Sequence, residues 1–151
     1  MNTQAKGKDL TQEPPRSPNV ELGGYVILAR TLDKCRALLW GDIDGYHFDC
    51  PLDNMLFGWK AIKGDDFKAA VAEGKDDDEV VQWVDAHGEK KSTEEKERWA
   101  EETRRSSLYN DPEKREFFVE ETRKLGLTPE TTTLFEWLEA DDRATYPQVF
   151  A

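Results

Sequence analysis

The stretch GDIDGYHFDCPLD, residues 41–53, concentrates the side chains best suited to chemistry. It holds Asp42, Asp44, Asp49 and Asp53 together with Tyr46, His47 and Cys50. A thiol immediately before Pro51, at the start of a helix, sits where unpaired backbone N–H groups favour negative charge. His47, on the preceding turn, is placed to act as its base. These types in this order make His47, Cys50 and Tyr46 the candidates for acid/base or nucleophilic work. Asp49 and Asp53 oppose a thiolate, which fits instead a buried or capping cysteine.

Metal chemistry fits the stretch poorly. Aligning Gly45 with the turn glycine of a calcium loop puts Trp40 at the first ligand position and Pro51 at the bidentate one, so an EF-hand is excluded. His47 and Cys50 supply half a zinc site, and the chain's other histidine and cysteine are His87 and Cys35. Cys35 falls on an apolar helix face and His87 at a helix end beside Gly88. No metal site and no cofactor is expected.

Upstream, Arg30 and Lys34 lie one helical turn apart and share a face, with Asp33 between them. Gly23 and Ala37 flank this patch with little bulk. Partly buried cations need compensating negative charge. A small anionic ligand can supply it, with Arg30 as the forked donor and Asp33 orienting Arg30. The alternative is an internal ion-pair network to Asp42, Asp44 or Asp53. The candidate ligand-binding set is therefore Arg30, Asp33, Lys34, Tyr46, His47 and Asp53.

The elements that must position these residues read as helices. Asn19 is suited to cap a long helix over about 20–40, with Gly41 as a left-handed stop. Tyr25, Leu28, Leu32, Cys35 and Leu39 share one face, and Val26, Ile27 and Leu38 make the helix apolar on its other sides. Such a helix belongs at the centre of a domain. Pro51 opens a short helix bearing Leu52, Met55, Leu56 and Trp59. GDDFKAAVAEG reads as another, stopped by Gly74. Asp76/Glu79 and Ser92/Glu95 are capping-box pairs opening two more. Asp111-Pro112 and Thr128-Pro129 each read as a helix start, the first leading Phe117, Phe118 and Leu125 to a stop at Gly126. The tail is expected to tuck Tyr146 and Phe150 onto the domain. Strand signals are nearly absent, so the fold class is all-α: a single helical domain over 10–151 around the 20–40 helix. Residues 1–9 read as a flexible start, and PPRSP, residues 14–18, as an extended arm.

Composition narrows the function classes. Net charge is −11 with no basic stripe, which opposes nucleic-acid binding, because phosphate contacts need a cationic patch. No run approaches the length of a membrane span and the N-terminus lacks the apolar stretch of a signal peptide. Two cysteines in 151 residues make no disulfide framework, so both are expected to be free in a reducing, cytoplasmic setting.

The combination of PPRSP, GGYVILAR and LDKCRA, followed by the connector YHFDCPLD and by DDDEVVQWV, resembles a bacterial family, domain of unknown function 5069. The resemblance runs from about Asp9 to Trp99. It implies a cytoplasmic helical domain and supplies no assigned catalytic residues.

The residues themselves suggest a small binding module, with a pocket for an anionic small molecule between the central helix and the 41–53 connector. Tyr46 and His47 would line its mouth. The alternatives are an enzyme using the same pocket with His47 as acid/base, and a protein-interaction module using the PPRSP arm.

Overall fold

The computed structural model describes residues 7–150, so most of the expected flexible start, residues 1–6, lies outside the described residues. The chain is all-α: α1 (Leu28–Trp40), α2 (Pro51–Lys60), α3 (Gly64–Ala72), α4 (Asp77–Ala86), α5 (Thr93–Arg105), α6 (Arg115–Lys124), α7 (Leu134–Thr145) and the short α8 (Pro147–Phe150). Among the described residues the only β pairings are the isolated bridges Asp9–Asp42 and Leu22–Tyr25. By packing the chain divides into two compact units, one ending at Glu97 and one beginning at Arg98.

In the first unit α1 packs on α2 and α3, and α3 on α4. Every residue of α1 from Leu28 to Ala37 is buried, charged ones included. An aromatic chain holds the unit together: Phe48 lies 6.1 Å from both Phe57 and Phe67, and Phe67 lies 6.0 Å from Trp83. Phe48, half-buried, belongs to the connector, so its ring contacts fasten the connector to α2 and α3. In the second unit Phe118 of α6 meets Trp137 of α7 edge-on at 5.8 Å, with Phe135 and Tyr146 buried. Phe150, expected to tuck in, is 48% exposed, and Phe117 is 53% exposed.

Local signals place most helix starts. Pro51 stands at the first turn of α2. Asp76 and Glu79 close a full capping box, Glu79 N–H to the Asp76 carboxylate at 2.8 Å and Asp76 N–H to Glu79 at 3.0 Å. Such a cap is worth about 1 kcal/mol. Ser92 and Glu95 repeat it ahead of α5.

Three expectations need correction. The central helix begins at Leu28, not near residue 20, and Asn19 does not cap it. Leu22 and Tyr25 exchange backbone hydrogen bonds across Gly23 and Gly24, both at positive φ (62° and 85°). A Cβ on Gly23 would stand 2.3 Å from Val81. Ile27 itself has φ 72°, costly for a β-branched residue. Its N–H is held by the Pro18 carbonyl at 2.9 Å. Tyr25, Val26 and Ile27 are thus buried as a tightly folded loop, which the apolar run could not distinguish from a helix. Secondly, Gly41 ends α1 without a left-handed conformation (φ −128°). Glycine is required there because a Cβ would stand 2.2 Å from the Lys8 carbonyl, where residues 8–10 cross the helix end. Thirdly, α6 starts at Arg115 after a turn from Asp111, and α7 starts at Leu134 on a Thr133–Glu136 capping box, so neither X-Pro pair opens its helix.

Candidate functional site

The charged residues of α1 leave the helix on two sides and meet different partners. On the first side Asp33 faces the PPRSP arm. Its carboxylate accepts from the Arg16 backbone N–H at 2.8 Å, from Arg16 Nε and Nη2 at 3.1 Å each, and lies 3.3 Å from Lys8 Nζ. Arg16 reaches on to Asp77 at 2.9 Å, and Arg36 meets the same carboxylate at 2.8 Å. Arg36 also donates to the Lys75 carbonyl at 2.9 Å, while its buried Nε has no hydrogen-bond partner among the described residues. Burial opposes charge on Arg16, but Asp33 and Asp77 outweigh it and hold the guanidinium above its ordinary range. Burial likewise pushes the Asp77 carboxyl up, and the hydrogen bonds from Arg16 and Arg36 pull it below its ordinary value. Pro15 and Pro18 are buried, so the arm is fastened to the first unit by apolar contact and by charge.

On the second side Thr31 and Lys34 face the connector and the start of α2. Asp53, fully buried, accepts from Thr31 Oγ1 at 2.5 Å and from the Asp49 N–H at 2.9 Å, and pairs with Lys34 Nζ at 2.9 Å. Lys34 Nζ also donates to Cys50 Sγ at 3.2 Å. Cys50 is half-buried, precedes α2, and makes no capping hydrogen bond with its side chain. Asn54 ties the connector back to α2, donating to the Asp49 and Cys50 carbonyls at 3.1 and 3.0 Å. The Asp49 carboxylate lies against Gly64, at the positive end of α3.

The structure therefore separates the six candidate ligand residues. Lys34 and Asp53 come together, and of the three acceptors suggested for an internal network it is Asp53 that Lys34 meets. Among the described residues Asp33 meets Arg16 and Lys8. Arg30, buried, donates to the Arg16 carbonyl at 3.3 Å and stands 5.5 Å from the Tyr46 ring. His47 is exposed and makes no hydrogen bond to Cys50 among the described residues, so it is not placed as that thiol's base. Cys35 is fully buried, and burial pushes its thiol up to about 12. Both cysteines are free.

Sequence reasoning missed Arg16, Thr31, Arg36 and Asp77. Thr31 was readable, one helical turn before Lys34 on the same face. The contacts of Arg16 and Arg36 with Asp77 span 61 and 41 residues and leave no local trace. Among the described residues no group of three or more His, Cys, Asp or Glu side chains is arranged to hold a metal ion, and no helix is long and apolar enough to cross a membrane.

No curated protein matches the chain. The family described as Domain of unknown function (DUF5069) matches residues 12–144, and the chain belongs to it.

Proposed function

We propose that this family member is a small cytoplasmic binding module that takes an anionic small molecule where α1 meets the connector and the first turn of α2. One observation carries the reading: the state of the Lys34 ammonium. Its side chain is only 4% exposed, and it has three N–H donors. One goes to Asp53, and one to Cys50 sulfur, a weak acceptor. An oxyanion entering beside the half-buried Cys50 would replace sulfur with a far stronger acceptor and engage the remaining donor. The uncapped N–H groups at the start of α2 add to the same attraction. Lys34 and Asp53 would form the floor of this site and Cys50 its near wall.

The enzyme reading keeps one specific support, the contact between Lys34 and Cys50, which would make the ammonium rather than His47 the thiol's partner. The interaction reading through PPRSP loses ground, because Arg16, Pro15 and Pro18 are already engaged by the first unit.

The test is thermal unfolding with phosphate or citrate at matched ionic strength, since the chain's charge alone makes it respond to salt. Wild type should gain stability by mass action. Lys34→Met combined with Asp53→Asn removes the buried pair together, a change that can leave folding nearly intact. That double variant should fold and lose the gain. Equal gains in both proteins would discard the site.

A further inference from the structure

The structure assigns a second site, unrelated to the first: a small organic cation, carried by a protonated amine, fits the cavity where the C-terminal ends of α2 and α4 converge. The two ends are clasped. The Glu89 N–H donates to the Lys60 carbonyl at 2.7 Å, and Lys60 Nζ, on a side chain with no exposed surface, donates to the His87 and Glu89 carbonyls at 2.6 Å each. Gly88 turns the chain at φ 68°, where a Cβ would stand 2.0 Å from the Lys60 carbonyl oxygen. The Lys60 carbonyl ending α2 and the His87 carbonyl ending α4 are thus drawn together, and helix C-termini carry partial negative charge. Lys60 thus meets carbonyl oxygens, while burial above all pushes its pKa down, Lys96 and Lys91 acting in the same sense and Asp85 and Glu89 in the opposite one.

Beside this clasp lies a cavity of about 170 Å³, lined among others by Ile62, Lys63, Asp66, Trp83, His87 and Gly88. It has room for an alkylammonium of a few carbon atoms and not for a cofactor. Its groups select charge. His87 Nδ1 lies 2.7 Å from the Trp83 carbonyl, which can only accept, so Nδ1 carries the hydrogen and neutral imidazole offers Nε2 as an acceptor. The imidazole stacks on Trp83 at 4.2 Å, which fixes its plane. The Asp66 carboxylate makes no hydrogen bond or ion pair with another side chain among the described residues. A carboxylate, an imidazole acceptor and an indole together favour a hydrogen-bond-donating cation with a short apolar stem. Lys63 is the opposing charge on the rim, and its exposed stem lets the ammonium withdraw into water.

Nuclear magnetic resonance titration tests this on the full chain, following the Trp83 indole and Gly88 amide at matched ionic strength. n-Butylammonium should shift both saturably and butyrate should not. Asp66→Asn, an exposed change that leaves the clasp intact, should weaken binding about tenfold. Lys63→Gln should tighten it. Binding of Nα-acetyllysine methylamide as well would assign the site to a partner's lysine side chain, and its exclusion to a free amine; both support a cation site. No saturable shift, an equal response to butyrate, or an Asp66→Asn titration matching wild type would overturn it.

Discussion

The two charged sides of α1 are built from the same kinds of residue and behave differently. Toward the arm, Asp33 and Asp77 are shared among Lys8, Arg16 and Arg36 through forked, charge-assisted hydrogen bonds that keep some contact with water, Arg16 at 28% and Asp77 at 32% side-chain exposure. Toward the connector, Lys34 and Asp53 form a drier pair, at 4% and 0%. The acid of that pair is fully served by Thr31, Asp49 and Lys34, whereas the ammonium is left with a sulfur for one partner. The first arrangement has the character of a fastener and the second of a socket with capacity left over. Burial of charge alone therefore does not distinguish the two sides. Among the described residues the arm side leaves one guanidinium nitrogen, Arg36 Nε, without a partner. On the connector side the whole ammonium rests on one carboxylate and one sulfur, which is what the proposed anion would complete.

The largest effect should come from breaking the drier pair on one side. Lys34→Ala leaves the Asp53 carboxylate buried without its cation and should cost about 3–5 kcal/mol. The double Lys34→Met/Asp53→Asn protein should recover most of that loss, as read from urea unfolding midpoints. Similar stability for the single and double variants would show that the pair is not coupled.

The wetter network should respond less. Asp33→Asn weakens the charge-assisted bonds to Arg16 and Lys8 and should cost about 1.5–3 kcal/mol. It should also expose residues 14–18 to limited proteolysis faster than the global unfolding rate requires. Proteolysis of the arm no faster than in wild type would mean that Pro15 and Pro18 hold it without Asp33.

Acid should act on this network through Asp77. Its folded-state value lies below the ordinary 3.8, so its contribution is fully present above that value and is lost as the pH falls through the lower folded-state value. In Asp77→Asn, the loss of stability between neutral pH and pH 3 should be shallower than in wild type. A matching pH slope would assign the acid sensitivity to other carboxyls.

The smallest effect belongs to the caps. Asp76→Ala should cost about 1 kcal/mol, read from urea unfolding midpoints, and fray the first turn of α4, where Asp77 meets Arg16 and Arg36. An unchanged midpoint would show that the cap contributes nothing.

These effects also mark what could be read from the chain alone. The Asp76/Glu79 and Ser92/Glu95 caps and Pro51 placed α4, α5 and α2 because a cap is a contact within one turn. The Thr133–Glu136 box was equally local, but Thr128-Pro129 offered a competing start. The beginning of α1 was not legible, because Ile27 adopts a left-handed conformation that its own type disfavours and only tertiary contacts can impose. At the site, Lys34 with Asp53 was among the pairings the residues allowed. The choice of Arg16 as partner for Asp33 depends on the path of a proline-rich arm, which no spacing encodes.

The central claim is that the Lys34 ammonium has hydrogen-bonding capacity to give, and the most direct measurement observes that group. In proton–nitrogen spectra selective for lysine ammonium groups, the slowly exchanging signal of the buried Lys34 Nζ should move saturably as phosphate is added at constant ionic strength. The backbone spectrum should otherwise change little. A Lys34 signal that stays fixed while phosphate shifts only exposed lysines would contradict the account and leave the Lys34–Asp53 pair as structure alone.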